Sequence, residues 1–175
     1  MRFGTFFYAV IAIVLIIGVS NDAYSQKTIK KYNQAVTGNP IALAFGFLNV
    51  TYEQQVSKDN SFTVFGSYWS FGGWSAFGVG GSYRWYLMQD DKKALEGFSF
   101  GPMASLGFWS YDNLGLTGDW GSGTSFAIGA EGAYKFVFDG GFTIEPIVQI
   151  GFNVLTITGL DYRAFGIGCN IGYAW

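Results

Sequence analysis

The chain has 175 residues, 50% hydrophobic and 20% aromatic, with 26 glycines and only 13% charged residues. A soluble domain is about 25% charged and about 7% glycine, disordered chains are charged and poor in aromatics, and collagen needs a three-residue glycine period, so all three classes fit poorly. The net charge of −2, the absence of His and the single Cys169 exclude a basic nucleic-acid surface, a histidine base or ligand, and a disulfide.

Arg2 precedes a mostly apolar run from Phe3 to Val19, followed by Ser20-Asn21-Asp22 and Ala23-Tyr24-Ser25. A basic start, a short apolar stretch and small residues at a cleavage site predict a secretory signal peptide over 1–25, leaving 26–175 as the mature chain. The alternative is an uncleaved anchor, but the run is at the low end of the roughly 17–25 residues that span a bilayer. No Cys lies near the site, which argues against a lipoprotein signal. No later stretch is long enough for a spanning helix. Only helices and closed barrels satisfy every backbone group in lipid, so a barrel is the remaining way to be a membrane protein.

Strands are expected at 48–56, 61–71, 74–88, 97–111, 124–138, 142–155 and 163–175, from period-two alternation. In 74–88, Phe77, Val79, Tyr83, Trp85 and Leu87 oppose Ala76, Gly78, Ser82, Arg84 and Tyr86. In 97–111, Phe98, Phe100, Pro102, Ala104, Leu106 and Phe108 oppose serines, glycines and Met103. In 124–138, Ile128, Tyr134, Phe136 and Phe138 oppose Glu131, Ala133 and Lys135; in 142–155, Ile144, Val148, Ile150 and Phe152 oppose Glu145, Gln149 and Asn153. The last strand sets Phe165, Ile167, Cys169, Ile171, Tyr173 and Trp175 against glycines, Asn170 and Ala174. The apolar faces of these last four strands carry no charge. A soluble sandwich would place charge on its outward face; here the second face is small and mostly neutral, which suits a narrow interior. The segment 62–71 is apolar on both faces, so its orientation stays open.

Seven legible strands imply an eighth, because bacterial single-chain barrels have even counts. It is expected at 35–44 with a tight turn near 45–47; the rival is a bulged first strand from Ile41 preceded by a weak strand at 28–37. The fold expected is therefore an all-β, transmembrane, antiparallel up-and-down barrel of eight strands. Short turns set the periplasmic side, so 139–141, 57–60 and 89–96 belong there, with 45–47, 72–73, 112–123 and 156–162 outside. Aromatics cluster near both strand ends, as interfacial girdles do. Pro102 and Pro146 each remove a ladder donor inside a strand, and a bulge is expected at each.

On this pattern, on Asn39-Pro40, Asn49 and Tyr52-Glu53 near the start, and on the closing Gly172-Tyr173-Ala174-Trp175, the chain resembles the small outer-membrane barrels of the outer membrane protein A/X-like superfamily. The resemblance implies a bacterial outer-membrane location with outer-membrane lipid as surroundings; separately, no cofactor is expected, and a monomer is. The resemblance also implies that Ile171, Tyr173 and Trp175 form the signal read by the barrel-assembly machinery. The peptidoglycan-binding domain of longer relatives is not expected.

The inward charges Glu53, Arg84, Glu131, Lys135 and Glu145 are the candidate site. If Phe138 faces Phe142, Lys135 sits across from Glu145, and opposite charges facing across a strand pair stabilise it. Charges in a narrow interior must be paired. About eight strands leave room only for side chains, so a charge cluster filling the lumen is favoured over transport. The role expected is structural or surface interaction; the alternative is a narrow pore or a transporter of small, hydrophobic molecules. Glu131 with Glu145 could form an acid–base pair, but Lys135 beside them favours an ion cluster, and no enzyme is expected. Asp112, Asn113, Asp119 and Trp120 supply too few ligands for a calcium site, so no metal is expected. Cys169 on the lipid face is a small hydrophobe. The glycine runs at 78–81 and 166–168 lack the Lys and helix of a phosphate loop.

Overall fold

The computed structural model describes residues 32–89, 93–111, 122–156 and 163–175. The signal peptide expected over 1–25 lies outside them, as does nearly all of the 112–123 loop. The elements are β1 (Gln34–Gly38), α1 (Pro40–Ala44), β2 (Phe47–Ser57), β3 (Asn60–Phe71), β4 (Trp74–Gln89), β5 (Gly97–Tyr111), β6 (Gly123–Val137), β7 (Phe142–Thr156) and β8 (Arg163–Ala174). The strands pair in chain order, and β1 closes on β8 into an eight-stranded barrel. Every pairing is antiparallel. The strands β5 to β7 have 15 residues each. At about 3.3 Å per residue and a tilt of roughly 45°, such a strand rises about 35 Å, enough to cross a hydrocarbon layer of about 30 Å.

Alternation sorts side chains as the sequence implies. On β7, Val148, Ile150 and Phe152 point outward and stay about half exposed, while Thr143, Glu145 and Ile147 are buried inside. The orientation of β3 is settled by its polar residues: Ser61 and Thr63 are buried inward and Val64 faces out. Phe65 then also points inward, and its ring crosses to Gly80, where a Cβ would lie 2.5 Å from the ring. A glycine is needed there because the ring fills the space of a side chain. Aromatic pairs mark both ends of the outer surface, with Trp85–Phe100 at 5.4 Å and Phe138–Phe142 at 5.7 Å at the end that carries the termini. Phe77–Phe108 at 6.3 Å lies at the far end. The β3–β4 hairpin there turns on Gly72 and Gly73, with φ of 60° and 83°. A two-residue hairpin loop with both φ positive matches the strand twist, and glycine adopts it without strain.

Two expectations are corrected. The strand expected at 35–44 ends at Gly38, and residues Pro40–Ala44 are the short helix α1. Pro40 lacks the N–H a ladder needs, but at the first helical position nothing is lost. The Asn39 side chain caps the turn by accepting from Ala42 N at 2.9 Å. The bulges expected at Pro102 and Pro146 are absent: register is constant on both sides of each. What each proline removes is pairing on one flank. Tyr83/Pro102 and Arg84/Gly101 drop out of the β4–β5 ladder, and Tyr134/Pro146 and Lys135/Glu145 out of β6–β7. Register shifts instead fall between Gln55 and Ser57, Tyr86 and Met88, and Phe126 and Ala127.

Candidate functional site

Because β1 is short, the far-end parts of β2 and β8 have no β1 residue between them. β1 reaches Gly38, paired with Val50 and Ile171. Beyond it α1 packs against both β2 and β8. Among the described residues no ladder pair joins β2 directly to β8. At the terminal end the barrel is zipped to its last residue, with Gln34 N donating to Trp175 O at 3.1 Å and Trp175 N to Gln34 O at 2.9 Å. Ile171, Tyr173 and Trp175 stand on the outer surface along this seam, with Tyr173 stacked on Trp175 at 6.4 Å.

The structure brings Glu53, Arg84, Glu131, Lys135 and Glu145 into one network across the lumen. All five are nearly or fully buried. Arg84 stands at its centre: Nη1 meets Glu53 Oε2 at 2.8 Å, Nε meets Glu131 Oε1 at 2.6 Å and Nη2 meets Glu145 Oε1 at 3.1 Å. A planar guanidinium presents donors on three sides, which a lysine at this place would not. Lys135 Nζ meets Glu145 Oε2 at 2.8 Å, as expected from their facing positions, and also donates to Glu53. Glu131, two inward positions along β6 from Lys135, pairs with Arg84 instead. Three carboxylates face two cations, so the ionised cluster carries one net negative charge. Glu145 is held by charge more than by aligned hydrogen bonds.

Neutral residues complete the network. Tyr86 Oη donates to Glu53 Oε1 at 2.8 Å and Ser61 Oγ to the same oxygen at 2.5 Å. Ser82 Oγ donates to Glu131 Oε1 at 2.5 Å and Gln149 Nε2 to Glu131 Oε2 at 3.0 Å. These residues were not singled out in sequence, although parity would have found them: Ser82 and Tyr86 sit two positions either side of Arg84. Toward the terminal end, Tyr32, Ala35, Tyr86, Ala94, Leu95, Val137 and Ala174 form a buried apolar layer. Ala94 and Leu95, just before β5, are buried in the mouth. There Lys93 pairs with Glu96 at 3.2 Å and Asp139 at 3.5 Å. Desolvation pulls its pKa down, but the hydrogen bond and charge of Glu96, with Asp139, outweigh it and hold the ammonium above its ordinary value.

On the far side of the cluster a cavity of about 410 Å³ remains inside the wall. Arg84, Glu131 and Gln149 form its floor, and Phe65, Met103 and Ile147 its sides. On the outer surface a shallow groove of about 680 Å³ crosses Pro102, where the ladder is thinned, between Tyr83, Ala104, Ile128 and Phe152. Among the described residues no group of three acidic or cysteine side chains is placed to hold a metal. Cys169 is free and half-buried on the outer face of β8.

No protein-family model matches the chain, and no curated protein matches it. Among solved structures, the backbone structure of the Yersinia pestis outer membrane protein Ail in a phospholipid bilayer nanodisc is similar, at 11% identity and a TM-score of 0.51. The similarity covers 83% of this chain and 100% of that one. The chain thus has the fold of a small eight-stranded outer-membrane β-barrel.

Proposed function

We propose that this protein is an integral barrel of the bacterial outer membrane, without enzymatic activity, whose lumen is closed by its own side chains and whose role is structural or one of surface interaction. The observation that carries the reading is the ion cluster centred on Arg84 and joined across the lumen, backed by the apolar layer around Leu95. An ion crossing the barrel would have to break buried pairs, and removing one partner of such a pair costs about 3–5 kcal/mol. The half-exposed apolar face matches lipid, and the fold shared with Ail agrees with an outer-membrane location. Ile171, Tyr173 and Trp175, on the outer face of the closing strand, are available to the barrel-assembly machinery before the seam forms. Among the described residues, the lumen carboxylates are committed to Arg84 and Lys135 rather than poised toward a substrate.

Planar-bilayer recording with purified, heat-modifiable protein tests the closed lumen. The account expects no steady single-channel openings. Openings whose conductance changes in Lys135→Ala or Glu145→Ala would replace this reading with that of a narrow pore.

A further inference from the structure

The cluster occupies only part of the lumen, and the cavity beyond it has an unusual boundary. Its lining includes Leu48 of β2 and Ile167 of β8, both at positions whose side chains point outward, together with Ala42 of α1. Inward residues alone would line an ordinary barrel interior. Outward residues join the lining here where β1 stops at Gly38 and only α1 lies between β2 and β8, which puts a side mouth of the cavity at α1. That mouth is apolar: Ile41, Leu43 and Phe45 around it are each more than half exposed. A sheet edge facing lipid also leaves backbone polar groups in need of partners.

We infer that the outer half of the lumen is a binding site for a small, uncharged amphiphile that enters sideways from the membrane past α1. The inference rests on the membrane-barrel reading above and deepens it. The volume of about 410 Å³ lies within the roughly 300–1,000 Å³ of small-molecule sites. Phe65, Met103 and Ile147 offer apolar walls to the hydrocarbon part. Charge selects the head group. Each side of the Arg84 guanidinium already meets a carboxylate, so this cation of the lining is not free to receive an anion. The cluster's net negative charge repels one. Asn49, Thr51 and Gln149 instead present neutral donors and acceptors, which suit a hydroxyl or amide. The site is a blind pocket: the same cluster that excludes ions from the barrel forms its floor.

The test is photolabelling of the full-length protein, folded in phospholipid vesicles, with a medium-chain fatty alcohol carrying a diazirine. Labelled residues are mapped by mass spectrometry, and neighbours on one strand serve as controls. The expectation is labelling of inward Phe65, Met103 and Ile147 that unlabelled alcohol competes away. Labelling of outward Val64, Ala104 and Val148 should resist competition. The matching diazirine carboxylate should label the inward residues about tenfold less, because burying an unpaired charge over an acidic floor is unfavourable. Ala42→Trp narrows only the mouth and should reduce inward labelling. Gly166→Phe fills the cavity from β8 and should abolish it. Gel heat-modifiability reports folding of each variant separately, so a misfolded variant is recognised and the other decides. Labelling confined to outward residues, or equal labelling by the carboxylate, overturns the site while leaving the barrel intact. Undiminished inward labelling in folded Ala42→Trp overturns sideways entry.

Discussion

Replacing Arg84 with Met puts the ion cluster to its hardest test. Methionine keeps much of the unbranched apolar stem but removes all three contacts to Glu53, Glu131 and Glu145, at 2.8, 2.6 and 3.1 Å. The cluster passes from one net negative charge to two, with Lys135 as the sole cation among its members. Stranding a buried charge costs about 3–5 kcal/mol, and with a urea slope of about 2 kcal/mol/M the unfolding midpoint should fall by about 2 M. The assay is urea unfolding in vesicles, followed by tryptophan fluorescence and by loss of the fast-migrating gel species. A second substitution sharpens it. Glu131→Gln in the Arg84→Met background restores the wild-type net charge, keeps an acceptor for Ser82, and should recover about 1–2 kcal/mol as coupling between contacting residues. The same Glu131→Gln change in wild type should destabilise. A midpoint within about 0.15 M of wild type in Arg84→Met, about 0.3 kcal/mol at that slope and so inside the error of additivity, would refute the claim that these charges depend on one another.

Other consequences follow from particular positions. Val148 faces outward near the middle of β7, so Val148→Arg should cost about 2–4 kcal/mol in a bilayer, measured by the same unfolding assay; a neutral result would mean that this face does not meet lipid. A Cβ on Gly101 would lie 1.7 Å from the Tyr83 carbonyl oxygen, whereas one on Gly66 meets nothing within 4 Å. Gly101→Ala should therefore lose about 3 kcal/mol while Gly66→Ala stays near wild type, read from heat-modifiable migration against temperature. Asn39→Ala removes the cap of α1 and should weaken that turn by about 1 kcal/mol, seen as amide exchange about fivefold faster at Ala42 and Leu43 with global stability little changed.

The fold was legible in the sequence wherever alternation was strict. Along β5 to β8 most large apolar side chains occupy one parity and Glu131, Lys135 and Glu145 the other, and the described residues keep that division. β3 was illegible because Phe62, Val64, Phe65 and Trp69 occupy both parities; the buried Ser61 and Thr63, with Gly80 making room for an inward Phe65, resolve it. The strand expected at 35–44 overruns Gly38 because the apolar pattern alone does not mark Asn39-Pro40 as a helix start. Its chemistry, a cap followed by a residue without N–H, starts a helix. The prolines at 102 and 146 produced lost pairs rather than bulges because a barrel strand has two neighbours and can give up bonding to one. The inward charges could be named from parity, and the Lys135–Glu145 contact from hairpin register. The central position of Arg84 could not. It depends on which non-adjacent strands face each other across the lumen, and alternation along one strand carries no information about that.

The central claim is that one side-chain parity meets lipid and that the other, from the ion cluster to the terminal end, is sealed inside. Cysteine accessibility tests it most directly, in a Cys169→Ser background folded in vesicles. Single changes Ser99→Cys and Ala133→Cys probe the inward parity, where both native residues are buried, and Phe100→Cys and Tyr134→Cys probe the outward one. The account predicts that a charged, membrane-impermeant maleimide labels neither set until the protein is unfolded, while a lipid-soluble maleimide labels only the outward pair. Rapid labelling of Ser99→Cys or Ala133→Cys by the charged reagent would contradict a sealed lumen, and rapid labelling of Phe100→Cys or Tyr134→Cys by it would contradict a membrane-embedded barrel.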